Sequence, residues 1–298
     1  MQGTKNQIHT PVLLEAVLQY LSPRPGESYL DVTAGYGGHA KAVLTHTKAS
    51  DKATLVDRDA EAIAHLKQFE QAGAQVVHND FLGASQDLAK QGKKYDLILA
   101  DLGVSSLHLN QPDRGFAFMH DGPLDMRMDQ SSELSASDVV NSYDETELAD
   151  LLFINGEERR SRKIASAIVN ARPINSTAEL AGIIEKTIGR RGKTHPATKS
   201  FQAIRITVND ELKQVENSLP IWLSMLNPGG RLGVISFHSL EDRLVKQVFT
   251  DVSGDRYDSD FRILTKNPVV ADDGELAFNP RSRSAKLRVV AKIKNRKG

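Results

Sequence analysis

The chain has 298 residues, of which 40% are hydrophobic and 26% are charged, and its formal net charge is zero. Such a composition is typical of one soluble domain or of a domain with an insertion, and we find neither a signal peptide nor the roughly 18 apolar residues of a membrane span. We therefore expect a cytoplasmic protein. The absence of cysteine excludes disulfides, thiolate nucleophiles and sulfur-ligated metal sites.

The neutral total hides an uneven distribution of charge along the chain. Residues 121–150 carry nine acids and one base, Arg127. Two later runs, 186–205 and 281–297, contain bases and no acid. The first of them holds Lys186, Arg190, Arg191, Lys193, Lys199 and Arg205. We expect a polyanion to bind at these two runs, and a solvated surface is the alternative.

Taken in chain order, apolar segments of strand length alternate with helical patterns. Thr10 and Pro11 predict the N-cap and the first residue of a leading amphipathic helix. Strands are predicted at 29–32, 53–56, 75–77, 95–100 and 231–236, with helices between them, notably at 39–44 and 60–69. Residues 285–291 alternate strictly and predict an antiparallel strand with one solvent-exposed face. The fold class is therefore α/β, with a doubly wound, mostly parallel sheet.

One interval is too long for this pattern. About 130 residues separate the strands ending at Ala100 and beginning at Arg231, whereas a strand-helix-strand crossover needs about 30. We predict an inserted helical domain for substrate recognition at 108–198, between two parts of the main domain at 1–107 and 199–298. Helical patterns within it are predicted at 147–153, 162–169 and 178–188. The chain then returns through a helical stretch, 201–226, which we expect to be kinked or divided at Pro220.

A glycine-rich segment follows the first predicted strand and opens a helix, so its backbone can approach a ligand at the helix N-terminus. Gly35, Gly37 and Ala40 fit a loose dinucleotide pattern, and Asp57 lies 22 residues after Gly35. An acid at that distance suits the ribose of a dinucleotide or of a methyl donor. Asp31 favours the methyl donor, because a carboxylate there repels pyrophosphate but can pair with the ammonium group of S-adenosylmethionine.

Further acids follow the other predicted strands, where ligands bind in an open parallel sheet. These are Asp57, Asp80 and Asp101. Each alone is more often a solvated turn or a helix cap, but acids at four strand ends favour a ligand site. Phe81, beside Asp80, is suited to stack on adenine.

Several longer motifs resemble the RsmH (MraW) family of bacterial 16S rRNA cytosine-N4 methyltransferases, and they span nearly the whole chain. The matching blocks are 9–14 (HTPVLL), 37–39 (GGH), 57–59 (DRD), 101–106 (DLGVSS), 114–116 (RGF), 122–129 (GPLDMRMD), 156–159 (GEER), 195–198 (HPAT), 201–203 (FQA), 236–243 (SFHSLEDR) and 279–281 (NPR). The stretch 251–275 matches poorly and is predicted to be a mobile, lineage-specific loop.

The resemblance implies S-adenosylmethionine as the cofactor, 16S rRNA of the small ribosomal subunit as the partner, and a cytosine of the decoding region as the methyl acceptor. It also implies donor contacts at Gly37, Gly38, His39, Asp57, Phe81, Asp101 and His108. Position 108 departs from the pattern, because relatives commonly have glutamine there. To these we add Asp31 and Gly35 from the residue chemistry above.

Positioning is the main catalytic task, because the lone pair of a cytosine amine is delocalised into the ring. Asp101 is predicted either to accept an amine hydrogen or to orient the cofactor, and the residues do not separate these roles. Phe237 and His238 are predicted to hold the base by stacking and by its edge. In the same segment, Ser239 and Asp242 resemble a capping box.

Further predictions concern ligands and partners. His238, Glu241 and Asp242 could in principle bind a metal, but we predict no metal site. Phosphates are expected at Arg127, Arg159 and Arg160, with surface ion pairs as an equal alternative. No membrane is expected as a partner. A homodimer is compatible with the sequence, which does not fix the oligomeric state.

Two other functions remain open at this point: a NAD-dependent oxidoreductase of small molecules, and an RNA-binding protein without catalytic activity. The three functions predict different ligand affinities. Calorimetric titration with S-adenosylmethionine and with NAD separates them, and mapping the modified base in rRNA from a deletion strain identifies the acceptor.

Overall fold

The computed structural model describes residues 11–103, 111–190, 192, 194–254 and 259–293. The chain divides into two compact units. The first unit joins Met1–Gly103 to Gln214–Gly298, and the second is Val104–Lys213. None of the described helices combines the length and the apolar character that a membrane span requires.

A seven-stranded sheet organises the described part of the first unit, with the strand order β3-β2-β1-β4-β5-β7-β6. The strands are β1 (Tyr29–Asp31), β2 (Ala53–Asp57), β3 (Gln75–His78), β4 (Tyr95–Asp101), β5 (Leu226–Ser236), β6 (Phe261–Ile263) and β7 (Lys286–Lys292). Strands β1 to β5 pair in parallel, while β7 runs antiparallel to both β5 and β6. The predicted doubly wound, mostly parallel sheet is confirmed, and so is its late antiparallel strand.

Helices of the first unit cover both faces of this sheet. They are α1 (Leu14–Leu21), α2 (Gly38–Thr47), α3 (Ala60–Gln71), α4 (Phe81–Lys90), α10 (Glu211–Ser224, which begins in the second unit), α11 (Ser239–Ser253) and α12 (Asp273–Phe278), with short 3-10 turns at Ser50–Lys52 and Pro280–Ser284. Successive residues of β4 point to opposite faces, so that Leu97 and Leu99 join one hydrophobic core and Ile98 and Ala100 join the other. The parallel strands β1, β2 and β4 are buried on both faces, which explains why their segments are mostly apolar, whereas β3, at the edge of the sheet, is more exposed.

Two terminal elements of this unit differ from the predictions. Thr10 lies outside the described residues, and Pro11 is not helical, because α1 begins at Leu14 after Leu13 adopts a left-handed backbone with φ 54°. The interior of β7 is buried on both faces, so the predicted exposed face is wrong. The reason is Arg288, whose charge is paired with Asp242 and is therefore tolerated in the interior.

The stretch 251–275, predicted as a loop, contains regular structure. Helix α11 continues to Ser253, β6 adds a strand to the edge of the sheet, and α12 begins at Asp273. Val269 also forms an isolated antiparallel bridge with Leu287. Strand β6 is only three residues long, which is too short for hydrophobic alternation to reveal it.

The second unit is helical where it is described. Its helices are α5 (Ala136–Ser142), α6 (Glu145–Ile154), α7 (Ser161–Ala171), α8 (Thr177–Ile188) and α9 (Thr198–Asn209), preceded by a 3-10 turn at Pro112–Arg114. They enclose a hydrophobic core of their own, to which Leu148, Ile164, Leu180 and Ile204 contribute.

The return to the first unit differs from the predicted helix over 201–226. The break lies at Asp210, which takes a left-handed backbone with φ 48° and ends α9, whereas Pro220 is accommodated inside α10. Because α9 packs on α6 and contributes Phe201 and Ile204 to the helical core, the second unit extends to Lys213, beyond the boundary we placed at 198.

Candidate functional site

The loop between β1 and α2 holds the predicted glycines, and each has its own structural reason. Gly35 and Gly37 have φ values of 53° and 78°, a backbone region that favours glycine. A Cβ at Gly37 would lie 2.3 Å from Phe69 Cε2, and one at Gly38 would lie 2.5 Å from Pro11 Cγ. At Gly35 a Cβ would meet no described atom within 4 Å. The loop therefore packs tightly at Gly37 and Gly38 and leaves open space at Gly35, where a ligand can approach.

Asp31 ends β1 beside this loop and is buried. The Tyr29 hydroxyl donates to its Oδ2 at 2.7 Å, and the Thr33 N–H donates to its Oδ1 at 3.2 Å. Burial nevertheless raises the pKa of Asp31 to about 7, and the carboxyl of Asp57 adds to that rise. A carboxyl in this state is half ionised near neutral pH and gains free energy from a nearby cation.

Two more carboxyls lie at the ends of the neighbouring strands. Asp57, at the end of β2, accepts the N–H groups of Gly35 and Asp59 at 2.7 and 2.9 Å. Burial raises its pKa, although these hydrogen bonds oppose the rise. Asp101, at the end of β4, has a pKa well above its usual range because of burial, then the charge of Asp31, then that of Glu241. The strand ends therefore hold a cluster of carboxyls that repel one another.

His39 lies in the first turn of α2, next to Asp101. Its Nε2 lies 2.9 Å from the carbonyl oxygen of Val12, so this nitrogen carries the hydrogen. The other ring nitrogen, Nδ1, lies 3.7 Å from Asp101 Oδ2. The backbone of Asp101 is fixed separately, because its N–H donates to Thr33 Oγ1 at 2.6 Å. His39 thus contacts the carboxylate cluster, and a donor contact remains a prediction.

Asp80 and Phe81 follow β3, as expected, but the Asp80 side chain is already used within the protein. The Asp80 carboxylate caps α4 by accepting the N–H of Gly83 at 2.8 Å, which is the structural role of a strand-end acid. Phe81 is half-buried, and its ring centroid lies 5.7 Å from that of Trp222. Three of the four predicted acids, Asp31, Asp57 and Asp101, therefore form the electrostatically coupled cluster.

The segment after β5 places Phe237 and His238 near the end of β4. A Cβ added at Gly103 would lie 3.0 Å from Phe237 Cδ2, so glycine allows this ring to approach the chain that follows Asp101. His238, not Ser239, caps α11, in a capping box with Glu241. The carboxylate of Glu241 accepts the N–H of Phe237 at 2.8 Å and thereby fixes the position of this segment.

Asp242 takes no part in the capping box, which the sequence predicted between Ser239 and Asp242 and which His238 and Glu241 form instead. It binds Arg288 Nε at 2.6 Å and Lys286 Nζ at 3.2 Å. Burial alone would raise the pKa of its carboxyl, but the hydrogen bonds and charges of these two cations outweigh burial and lower it. The lysine and the arginine come from β7. Asp242 therefore joins α11 to the sheet.

Three residues of the site were not predicted in the roles they have: Tyr29, Thr33 and Glu241. Tyr29 precedes Asp31 by two positions on the same strand, and side chains at that spacing share a face, so strand periodicity could have revealed it. Glu241 lies three residues after the cap position, which is a capping-box signal. Thr33 offers no comparable signal.

The three arginines that were predicted to contact phosphate differ in their partners and exposure. Arg127 binds Asp125 through Nε and Nη2 and donates from Nη1 to two carbonyl oxygens, so the ion-pair alternative describes it. Arg160 Nη1 donates to the carbonyl oxygen of Ile188 at 2.6 Å, whereas Arg159 is exposed.

Each basic run contains residues that are paired within the protein, and the first run also contains exposed bases. In the first run Arg205 forms a bidentate pair with Glu211, whereas Lys186 and Arg190 are exposed. In the second run Lys286 and Arg288 bind Asp242, and Lys292 donates to the carbonyl oxygen of Leu226. The predicted residues His108, Arg191, Lys193, Lys294, Arg296 and Lys297 lie outside the described residues.

Known proteins match this chain over nearly its whole length. A family model described as the MraW methylase family matches residues 6–293. A relative from Nostoc sp., named ribosomal RNA small subunit methyltransferase H, is 49% identical over 95% of this chain and 92% of its own length. A relative of the same name from Citrifermentans bemidjiense is 45% identical over 96% of this chain and 98% of its own length. A solved structure of a putative methyltransferase from Streptococcus mutans in complex with SAH aligns with a TM-score of 0.44 and 12% identity, over 96% of this chain and all of that chain.

Proposed function

Because the chain belongs to the MraW methylase family, we propose that it transfers a methyl group from S-adenosylmethionine to the N4 amine of one cytosine in the decoding region of 16S rRNA. Methylation of small-subunit rRNA agrees with the names of relatives that match nearly the whole chain. The N4 position and the decoding region come from the resemblance of the motifs.

The carboxylate cluster is the observation that carries the proposal. Asp31, Asp57 and Asp101 are buried or half-buried at adjacent strand ends, and burial raises the pKa of each. A ligand with positive charge relieves this repulsion, whereas the pyrophosphate of a dinucleotide would increase it. When bound, S-adenosylmethionine carries an ammonium group and supplies an electrophilic methyl group on a sulfonium. The residues therefore fit the donor.

The same residues suggest how the donor is held. Asp31 would bind the ammonium group, Asp57 would accept from the ribose hydroxyls, and the open space at Gly35 would receive the chain between them. Phe81 would pack against the adenine beside Trp222. Gly37 and Gly38 support the loop from behind by allowing Phe69 and Pro11 to approach.

Asp101 is suited to receive the acceptor amine. It ends β4, and Glu241 and Asp31 add to the burial that raises its pKa, so a cation nearby would favour its ionised form. The ionised carboxylate would then accept one hydrogen of the cytosine amine and direct the nitrogen towards the methyl group. Phe237 and His238, held by Glu241, would position the base. No strong base is needed, because the methylated amine is acidic until it loses its proton.

The second unit is proposed to recognise the RNA. Its exposed bases Lys186 and Arg190 lie at and just beyond the end of α8, while its acidic stretch is partly used in helix caps, including Asp138 and Asp144. A function on ribosomal subunits would be carried out in the cytoplasm.

The test is methylation of small ribosomal subunits from a strain that lacks this protein, followed by mass spectrometry of the rRNA nucleosides. We expect one N4-methylcytidine per subunit with the parent protein and a strong loss of rate with Asp101→Asn, at nearly unchanged donor affinity. Methylation of a carbon or of another base would refute the N4 assignment. An Asp101→Asn protein that loses donor binding and rate in parallel would instead assign Asp101 to the cofactor.

A further inference from the structure

A small cavity opens in the first unit between α11, β6 and β7, and the proposed mechanism makes no use of it. Its volume is about 40 Å³. One water molecule needs roughly 10–15 Å³ by this measure, so the cavity accommodates about three water-sized groups. Its polar walls come from α11 (Lys246, Thr250), from the segment after β6 (Thr265, Lys266) and from β7 (Arg288).

The charge of these walls is positive. Asp242 holds the buried Arg288 through Nε at 2.6 Å and also binds Lys286, so one carboxylate faces two cations. Lys246 and Lys266 are exposed and add two more positive charges. None of the described residues that line the cavity is acidic. A concave surface with this charge attracts anions.

The cavity also offers hydroxyl donors. Thr265 is buried, and its Oγ1 accepts the N–H of Val289 at 2.9 Å, which leaves the hydroxyl hydrogen to be donated. Thr250 lies one helical turn after Lys246 on the same face of α11, which directs both side chains to one place. A guanidinium held in place, a buried hydroxyl and ammonium groups are the donors that bind phosphate oxygens.

We propose that this cavity binds one backbone phosphate of the RNA substrate. The inference rests on the proposed function for the identity of the RNA. The cavity is too small for a nucleoside, but it accommodates the oxygens of a phosphate that projects from a longer chain. Asp242 therefore has a second role, because it orients Arg288 towards that phosphate.

The test compares two double variants of the full chain. Lys246→Ala with Lys266→Ala removes two charges from the cavity, and Lys67→Ala with Lys93→Ala removes two exposed lysines elsewhere in the same unit. Binding of a 16S rRNA transcript and of small ribosomal subunits is measured at several salt concentrations. For the cavity variant we expect weaker binding at low salt and a slope of log affinity against log salt that is smaller by about 0.7–0.9, the value for one phosphate. The control variant should match the parent, and S-adenosylmethionine affinity should be unchanged in both.

The outcomes distinguish this inference from the proposed function. A cavity variant with the parent's RNA affinity and slope refutes the inference, even if the parent methylates subunits. If the cavity variant shows the smaller slope but the parent transfers no methyl group, the proposed function alone is refuted. A further measurement is the thermal stabilisation of the protein by inorganic phosphate. If the cavity variant loses this stabilisation but binds RNA as the parent does, the cavity binds a free anion and the inference is wrong.

Discussion

Asp57 illustrates how one carboxylate can organise a loop and bind a ligand. Its two oxygens accept the N–H groups of Gly35 and Asp59, so they fix the backbone on which the donor is proposed to lie. Hydrogen bonds to a charged acceptor contribute about 1.5–3 kcal/mol each. The effect of a substitution on binding must therefore be separated from its effect on the loop.

We expect Asp57→Ala to weaken S-adenosylmethionine binding by about 1–3 kcal/mol, because a charged acceptor for the ribose is lost. Asp57→Asn keeps an oxygen for the Gly35 N–H and should lose less. Calorimetric titration measures both, and the fluorescence of Trp222, the only tryptophan in the sequence, reports whether the first unit is folded. An Asp57→Ala protein with the parent's affinity would remove Asp57 from the site.

Asp31 predicts a dependence of donor affinity on pH. Its pKa is raised to about 7 by burial, and a bound ammonium group would lower it again. Affinity should therefore be greatest above pH 7 and fall as the carboxyl becomes protonated, by about tenfold between pH 8 and pH 6. Asp31→Asn should bind weakly at both pH values. Titrations at pH 6, 7 and 8 measure this, and a parent affinity that does not change over this range contradicts the proposed ammonium contact.

The same raised pKa has the opposite sign for folding. An acid whose pKa is higher in the folded than in the unfolded chain makes the folded state bind protons more tightly, so its contribution to stability is lost as pH rises from about 4 to about 7. Asp31→Asn should accordingly make the ligand-free protein more stable at pH 8 than the parent. Asp31 would therefore lower the stability of the ligand-free protein while it binds the donor, a cost that is common for residues selected for function.

Among the site residues, those at strand ends could be predicted from the sequence. Asp31, Asp57 and Asp101 follow recognisable apolar strands, and the carboxyl ends of parallel strands meet at one edge. The cap at Asp80 is local, since it involves Gly83 three residues later, and it is the alternative that the sequence offered. The role of Asp242 could not be predicted, because an ion pair depends on which neighbours the fold brings close. Asp242 meets Arg288 across 46 positions in the sequence.

At the scale of elements, the ion pairs of Asp242 join α11 to β7. Removing this carboxylate would leave Arg288 charged and buried without its partner, so Asp242→Ala should lower the free energy of unfolding by roughly 3 kcal/mol, the lower end for a broken buried pair. Urea denaturation followed by Trp222 fluorescence measures the change.

Asp87→Ala is the matched control, because Asp87 pairs with Lys90 on the exposed surface of α4. An exposed pair contributes below about 1 kcal/mol. Asp242→Ala combined with Arg288→Met should recover part of the lost stability, since the unpaired charge is then absent. Equal effects of Asp242→Ala and Asp87→Ala would show that the buried pair contributes no more than the exposed one.

Most elements that hydrophobic periodicity predicted are buried on both faces of the sheet or along one stripe of a helix, and the edge strand β3 is the exception. The elements it missed depend on single residues: Asp210 ends α9 through a left-handed backbone, and Pro220 fits inside α10. Strand β6 exists because β7 offers it an edge, not because of its own three residues. Local patterns contain no information about such neighbours.

At the scale of the whole molecule, each unit has its own hydrophobic core. The cores on the two faces of the sheet consist of residues of the first unit, and the helical core, with Leu148, Ile164 and Phe201, consists of residues of the second. A unit that buries its own apolar surface has the main requirement for folding alone. The proposed division of tasks, with the donor at the sheet edge and the RNA at the insertion, can therefore be tested by separating the units.

We expect a protein in which residues 104–213 are replaced by a flexible glycine-serine linker to fold and to bind S-adenosylmethionine without methylating ribosomal subunits. Asp31, Gly35, Asp57 and Phe81 all remain in it, so donor binding should persist, weakened by loss of the predicted contact at His108. Calorimetry measures the donor, Trp222 fluorescence reports folding of the first unit, and methyl transfer to subunits measures activity. The matched control is the same protein carrying Asp57→Ala, which should lose most of the remaining donor affinity. A linker protein that methylates subunits at the parent's rate would refute the role of the second unit, and one that is folded but binds no donor would show that the donor site requires both units.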